Sequence, residues 1–406
     1  MTDGSRTSRP AVLILNENES VPHDRRVWQE ALSLVRAGYD VTVVCPRGDG
    51  SERQAFELRE DVEIHRFRPL AASGGAASYA LEYAWALVQI TRHVWRLSRR
   101  RRVQVVHACN PPDVLLLAAL LPKLRGAALI FDHHDLAPEL YLSRFGRGRD
   151  LLYRATLLLE RMSFALADVV ISTNESYRRI AVARGGKHSD DVFVVRNDPD
   201  LSRFRRGRPH PGLRRGKAHL LAYAGVMGPQ DGVDHALRAL ALLRERRDDW
   251  HAIFAGDGDR FDEMQDLAGK LGLSSFVEFA GWLQDDELVT LLSTADVCIG
   301  PDPKSPLNDV STMVKILEYM AVGCPIVSYD LEESRRSAAG AALYAPADDV
   351  QALAELIVQL LDDPELRAQL GSTGRARTES RFSWERSEQA LLAAYERALG
   401  GRQRVH

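Results

Sequence analysis

The segment Leu307–Ala321 (LNDVSTMVKILEYMA) gathers groups well suited to chemistry. Ser311 or Thr312 can cap a helix that starts there, and the free N–H groups at such an end form an anion site reinforced by the helix dipole. A helix begun at Ser311 places Ser311, Lys315 and Glu318 at i, i+4 and i+7, on one face. Val314, Leu317 and Ala321 then fall on another face that can pack against a sheet. A hydroxyl, an ammonium and a carboxylate in one stripe suit a phosphorylated ligand bearing hydroxyls. The same pattern also fits a solvated face with an ordinary Lys315–Glu318 pair.

Arg25 and Arg26 follow Asp24 in the first turn of another predicted helix. Cations there oppose the helix dipole by about 0.3–1 kcal/mol each when exposed. Either an anionic ligand compensates them or the side chains simply turn to solvent, where surface charge has little effect. His133, His134 and Asp135 follow the apolar run Ala127–Phe131, where an imidazole can meet a ligand hydroxyl or serve as a core group. The loop Asn16–His23 (NENESVPH), with Asn18 and His23, has no glycine. A G-x-G-x-x-G phosphate cradle is therefore absent, which disfavours a nicotinamide dehydrogenase. Gly256-Asp-Gly258 is a lone G-x-G, more often a tight turn.

Histidines and carboxylates do not recur at metal-ligand spacing, and no D-x-D lies in a suitable loop, so no metal or other cofactor is expected. Cys45, Cys109, Cys298 and Cys324 are scattered, which argues against a thiolate zinc site or a disulfide framework and fits a reducing, cytoplasmic setting. The first ten residues are polar and carry no apolar leader. The most apolar segment, Val114–Leu121, falls well short of a membrane span.

These groups need a scaffold, and the pattern of short apolar runs supplies one. Strands are predicted at Ala11–Leu15, Val41–Val44, Val62–Phe67, Val103–His107, Ala127–Phe131, Asp168–Ser172 and Val192–Val195. Helical periods lie between them, as in Asp24–Ala37, Ser78–Ser98, Leu151–Ala167 and Glu175–Ala183. Strands that are apolar throughout and alternate with helices indicate a parallel sheet covered on both faces. The alternation halts over Arg196–Lys217, rich in Pro, Gly, Asp and Arg, and resumes at Leu220–Ala224, Trp250–Ala255, Phe276–Ala280, Asp296–Gly300 and Pro325–Ser328. The expected organisation is a Rossmann-like domain over 1–200, a linker over 201–217, a second Rossmann-like domain over 218–383, and a C-terminal helix over 384–406 packing across both.

The fold class is thus α/β with two doubly wound domains, and the cleft between them is the expected site because ligands bind beyond the carboxyl ends of parallel strands. The 406 residues are 45% hydrophobic and 27% charged with a net charge of −3. That excludes a disordered chain, a coiled coil and a protein built to coat nucleic acid.

The run Lys315-Ile-Leu-Glu318-Tyr-Met-Ala-Val-Gly323-Cys-Pro325-Ile-Val resembles the "LEAMA-G-PVV" signature of glycosyltransferase family 4, whose enzymes have the GT-B fold. Similar segments follow in order along nearly the whole chain, among them Ala11–Pro46, Val106–Pro112, Phe131–Glu139, Leu221–Asp234 and Phe279–Leu283. The resemblance implies that Glu318 holds the nucleotide ribose and that His134 faces the donor sugar. It places the base near Gly281, Trp282 and Leu283, and the loop from Gly225 to Gly228 beside the diphosphate.

The pattern is broken twice. The acidic residue usual eight positions before the glutamate is Val310, with Asn308 and Asp309 as nearby substitutes. Val226 and Asp231 stand where the family commonly has an Arg and a Lys for the diphosphate. Lys315 and the Ser311–Thr312 helix end are the nearest replacements, while Asn18, His23, Arg25 and Arg26 are the acceptor or phosphate candidates.

The implied reaction is transfer of a hexose or related sugar, with retention, from a UDP- or GDP-sugar to a hydroxyl of a glycan, lipid-linked or small-molecule acceptor. Alternatives are a nucleotide-sugar epimerase or phosphorylase of the same fold, or a catalytically weak sugar-nucleotide-binding partner. A basic stretch, Arg92–Arg102, interleaved with Trp85 and Trp95, suits peripheral contact with the inner face of a membrane, or is a solvated helix end.

Overall fold

The computed structural model describes residues 9–48, 50–70, 76–145 and 148–400. The polar N-terminal octet and residues 401–406 of the expected C-terminal segment lie outside the described residues. The chain forms two compact units, one comprising Met1–Arg196 with Ser387–His406, the other Asn197–Arg386.

The first unit runs β1 (Ala11–Leu15), α1 (Arg25–Arg36), β2 (Asp40–Pro46), β3 (Phe56–Arg59), β4 (Val62–Phe67), α2 (Ala76–Arg100) and β5 (Val105–Cys109). It continues through α3 (Leu120–Leu124), β6 (Ala128–His133), α4 (Ala137–Phe145), α5 (Leu151–Leu166), β7 (Val169–Ser172), α6 (Glu175–Ala183) and β8 (Val192–Val194). Strand order is β3-β4-β2-β1-β5-β6-β7-β8, parallel except for the β3–β4 hairpin. β1 lies between β2 and β5, so the loops leaving β1 and β5 flank the point where strand order reverses, a usual ligand position in such sheets.

One sheet face, with Leu13, Leu15, Val106, Leu129 and Phe131, packs on Ile90 and Val94 of α2 and Phe164 of α5. Asp24, Asp150 and Asn174 start α1, α5 and α6 by accepting from the N–H groups of Val27, Tyr153 and Tyr177.

The second unit runs β9 (His219–Ala224), α7 (Val233–Arg246), β10 (Trp250–Ala255), α8 (Phe261–Lys270), β11 (Val277–Gly281), α9 (Asp285–Thr294) and β12 (Val297–Gly300). Then come α10 (Val314–Val322), β13 (Ile326–Tyr329), α11 (Glu332–Ala338), β14 (Ala342–Ala345), α12 (Val350–Asp362) and α13 (Pro364–Arg381). Its six strands are all parallel, ordered β11-β10-β9-β12-β13-β14, with the reversal between β9 and β12. Segment 197–217 holds no α-helix or strand but is anchored to this unit by buried Phe204 and by Arg214, which pairs with Asp296 at 3.1 Å.

α14 (Trp384–Gly400) returns to the first unit from Ser387 onward. There Tyr395 is buried and joined to His107, and Arg397 pairs with Asp191 at 2.9 Å.

Candidate active site

In the second unit the loops leaving β9, β10 and β12 meet the start of α10. Gly225, directly after β9, has φ 152°, and a Cβ there would lie 2.9 Å from Lys315 Cε. Gly256, after β10, has φ 131°, and its Cβ would fall 1.9 Å from the Gly225 carbonyl oxygen. The two loops approach so closely that only glycine fits.

Lys315 is buried, and its Nζ donates to Asp302 Oδ1 at 2.6 Å, with Asp231 Oδ1 and the Tyr223 hydroxyl each at 3.4 Å. Burial disfavours the ammonium, but Asp302, Tyr223 and Asp231 outweigh it and hold its pKa well above the usual lysine value. Burial raises the pKa of Asp231 despite Lys315. Asp302 Oδ2 and Gln230 Oε1 are buried with no hydrogen-bond partner. Asp231 Oδ2 accepts from the Gly228 N–H at 3.0 Å, folding the β9 loop onto itself.

α10 does not begin at Ser311. It begins at Val314, with Met313 at the cap position and no side-chain cap, because the Ser311 hydroxyl instead donates to the Leu307 carbonyl at 2.8 Å. The expected cap by Ser311 or Thr312 is corrected accordingly; of the expected apolar face Leu317 and Ala321 are buried in the core, while Val314 is exposed and Lys315, expected on the polar stripe, is buried. Within the helix Lys315 and half-buried Glu318 stand three residues apart.

Asn308 is buried and braces the loop, donating to the carbonyls of Gln230 and Pro303 at 2.8 Å. Asp309 accepts from the Glu332 N–H at 3.0 Å. Val226 is exposed after β9, and exposed Trp282 and half-buried Leu283 follow Gly281 at the end of β11.

In the first unit a buried charge cluster lies at the ends of β5 and β6. Arg26 reaches from α1 to Asp132, Nη2 to Oδ1 at 2.9 Å, and donates through Nη1 to the Val195 carbonyl at 2.8 Å. Its Nε is 3.2 Å from Glu30. The partners of Arg26 thus belong to this chain, the carboxylates of Asp132 and Glu30 together with the Val195 carbonyl and His134 Nε2, to which its Nε donates at 2.8 Å, which corrects the expectation that a ligand must compensate it or that it turns to solvent.

Asp132 Oδ2 also faces His134 Nε2 at 2.5 Å and His107 Nε2 at 3.2 Å. Burial raises the Asp132 pKa, but Arg26 and His134 overcome this and hold it well below the carboxylate range. Burial beside Asp132 pushes the Glu30 pKa well up. The backbone N–H groups of His134 and Asp135 donate to Asn110 Oδ1 at 2.6 and 3.1 Å, which fixes the turn that presents His134.

His133 is a core residue, packed among Phe131, Phe164 and Tyr177. Asn18 and His23 are exposed on the loop after β1, and Arg25 is half-buried at the start of α1.

The sequence reading passed over Asp132, Glu30 and Asn110. A charged residue inside an apolar strand, as in Phe131-Asp132-His133, is the signal that marks a buried polar partner, because an unpaired one would be strongly disfavoured there. His107, Cys109 and Asp132, and likewise Glu30, Asp132 and His134, come within 4.8 Å of one another. The Arg26 guanidinium already supplies the positive charge that these carboxylates need.

Two Rossmann-type sheets, with polar groups placed at the strand-order reversal of each, are the architecture of the GT-B fold. The sequence model described as "Glycosyl transferase 4-like domain" matches residues 23–198, and that described as "Glycosyl transferases group 1" matches residues 209–377. The chain belongs to this glycosyltransferase family and is an enzyme of that class. It is similar to the glycogen synthase of Mycobacterium tuberculosis, 26% identical over 93% of this chain and 91% of the relative.

Among solved structures, sucrose-phosphate synthase from Thermosynechococcus elongatus superposes with a TM-score of 0.79 at 18% identity, over 97% of this chain and all of that one. Anabaena HepE in complex with UDP-glucose gives 0.73 at 16% identity, over 95% and 99%.

Proposed function

We propose that the enzyme transfers a hexose or related sugar from a nucleoside-diphosphate donor to an acceptor hydroxyl, with retention of anomeric configuration. The observation that carries this reading is the Lys315–Glu318 pair at the strand-order reversal of the second sheet, beside the glycine-pinned β9 loop. UDP is the favoured donor nucleotide, since a protein of similar fold is solved with UDP-glucose.

The second unit holds the nucleotide. Glu318 accepts from the ribose hydroxyls, and Gly281, Trp282 and Leu283 border the base. Lys315 stabilises the charge that develops on the departing diphosphate, exchanging part of its contact with Asp302 and Asp231 for phosphate oxygens. The loops carrying Gly225, Gly228, Asn308, Asp309, Ser311 and Thr312 line the diphosphate and sugar. In the first unit His134, oriented by Asp132, hydrogen-bonds a hydroxyl of the donor sugar, and Asn18, His23 and Arg25 meet the acceptor. This reading requires no metal.

The acceptor is a glycan, a lipid-linked sugar or a small molecule. The cationic stretch Arg92–Arg102 supports peripheral contact at the cytoplasmic face of a membrane. Among the described residues no helix is long and apolar enough to cross one.

A thermal-shift panel of nucleoside diphosphates and their sugars tests the reading. A ligand at 100 times its dissociation constant stabilises by about 2.7 kcal/mol, and Glu318→Ala should abolish that response to UDP. An unaltered response and turnover in Glu318→Ala refutes the assignment. Isomerisation of a UDP-sugar incubated alone marks an epimerase. Tight UDP binding without transfer to any acceptor marks a binding partner, a reading favoured by Val226 and Asp231 in place of cations.

A further inference from the structure

We propose that α2, the turn leading into α3, and α5 together form a docking face for an anionic lipid bilayer. The proposal rests on the membrane contact put forward above, extends it well beyond Arg92–Arg102, and is independent of the donor chemistry. These segments share one side of the first sheet. Ile90 and Val94 of α2, Leu115 and Leu116 of the turn, and Phe164 of α5 enter a single core with Leu13, Leu129 and Phe131 of the strands. Their opposite sides therefore face outward together.

That outer side is apolar along three rows. On α2, Leu81, Trp85, Val88 and Trp95 recur at helical spacing and are all exposed. Leu117, Leu120 and Leu124 repeat the pattern through the turn and α3, with Leu124 85% exposed. α5 adds Leu151, Leu158 and Met162. Monomeric proteins rarely leave so many large apolar side chains in contiguous rows facing water.

Charge identifies the occupant. Arg92, Arg96, Arg99, Arg154 and Arg161 are exposed on the same helices. Between residues 76 and 126 and within α5 the acids are only Glu82, Asp113 and Glu160. None of the three is exposed, Asp113 and Glu160 being buried and Glu82 half-buried. A second copy of the chain on this face would set arginines against arginines, whereas a layer of lipid phosphates neutralises them. The Arg99 guanidinium stacks 3.7 Å from the centre of the Trp95 ring, and Trp85 donates its indole N–H to the Arg68 carbonyl at 2.9 Å. An aromatic ring with its polar edge satisfied, as in Trp85, and one stacked with a cation, as in Trp95, suit the headgroup boundary of a bilayer.

The test is co-sedimentation of the full chain with vesicles of phosphatidylcholine alone or mixed with phosphatidylglycerol, without donor or acceptor, so that its failure is separate from failure of the transferase reading. Binding is expected only with phosphatidylglycerol, with a blue shift of tryptophan emission. Arg92→Gln with Arg96→Gln should lower the partition coefficient about thirtyfold, while the Arg92→Lys, Arg96→Lys pair should retain it. Trp85→Ser with Trp95→Ser should remove the blue shift and weaken binding.

Equal partition to both vesicle types, or no response to neutralising the two arginines, overturns the proposal. So does a lipid-independent dimer that the tryptophan variants disperse, which would assign the face to a second copy.

Discussion

Lys315 Nζ lies 2.6 Å from Asp302 Oδ1, so the ammonium proposed for the donor diphosphate is already held by a carboxylate of its own chain. With Asp231 at 3.4 Å, one cation faces two anions. An incoming diphosphate must compete with both.

Replacing Asp302 by Asn keeps the shape and removes one competitor. UDP affinity of Asp302→Asn is expected to rise about three- to tenfold by calorimetry. Lys315→Met is expected to weaken UDP by at least tenfold. It should also destabilise the second unit by about 3–5 kcal/mol in denaturant unfolding, because it strands buried carboxylates. Unchanged UDP affinity in Lys315→Met would remove that side chain from the donor site.

Val226 is exposed where family members commonly place an arginine. A guanidinium there needs no repacking, and a charge-assisted hydrogen bond to phosphate contributes about 1.5–3 kcal/mol. Val226→Arg should tighten UDP binding tenfold or more, with a gain that shrinks as salt is raised. If UDP affinity stays flat across salt, the β9 loop does not face the diphosphate.

Most of the scaffold was legible because both sheets are buried on two faces, which makes each strand a short unbroken apolar run; Ala11–Leu15, Val62–Phe67 and Trp250–Ala255 have the observed bounds. The sequence reading did not anticipate β3, an edge strand with Phe56 and Leu58 exposed, or β14, a four-residue edge strand with little period.

At the candidate site, the helix that carries Lys315 and Glu318 was legible from its period. The start of α10 was not, because a hydroxyl that bonds to a preceding carbonyl, as Ser311 does, looks in sequence like one that caps a helix. The partners of Arg26 were equally hidden, since Asp132 lies 106 positions away and only the fold brings them together.

Asp113 is buried at the start of the turn that follows β5, and burial beside Glu160 lifts its pKa to about 7, although Asn110 Nδ2 donates to it at 3.0 Å. A carboxyl whose folded pKa exceeds its unfolded value binds its proton more tightly when folded. Its stabilising effect is therefore complete in acid and is lost as pH rises from about 4 to about 7. Asp113→Asn, which stays neutral, should gain on wild type steadily as the pH rises, its advantage growing by about 1–3 kcal/mol between pH 5 and pH 8. Melting curves at the two pH values check this, and an equal shift at both would show that the carboxyl does not titrate between them.

Tyr395 ties the last helix to the proposed His134 side of the first unit. Its hydroxyl bonds His107 Nδ1 at 2.8 Å, and His107 Nε2 faces Asp132 at 3.2 Å. Burial lowers the His107 pKa despite Asp132, so a neutral imidazole accepts from Tyr395 and donates to Asp132. Tyr395→Phe removes one hydrogen bond and should reduce stability by about 1 kcal/mol. Tyr395→Ala also empties a buried ring site and should cost about 3–5 kcal/mol. Urea unfolding should therefore order the proteins wild type, Tyr395→Phe, Tyr395→Ala. If His107 passes this support on to His134 through Asp132, Tyr395→Phe should lower kcat and leave UDP affinity unchanged. An unaltered kcat would confine Tyr395 to holding the helix in place.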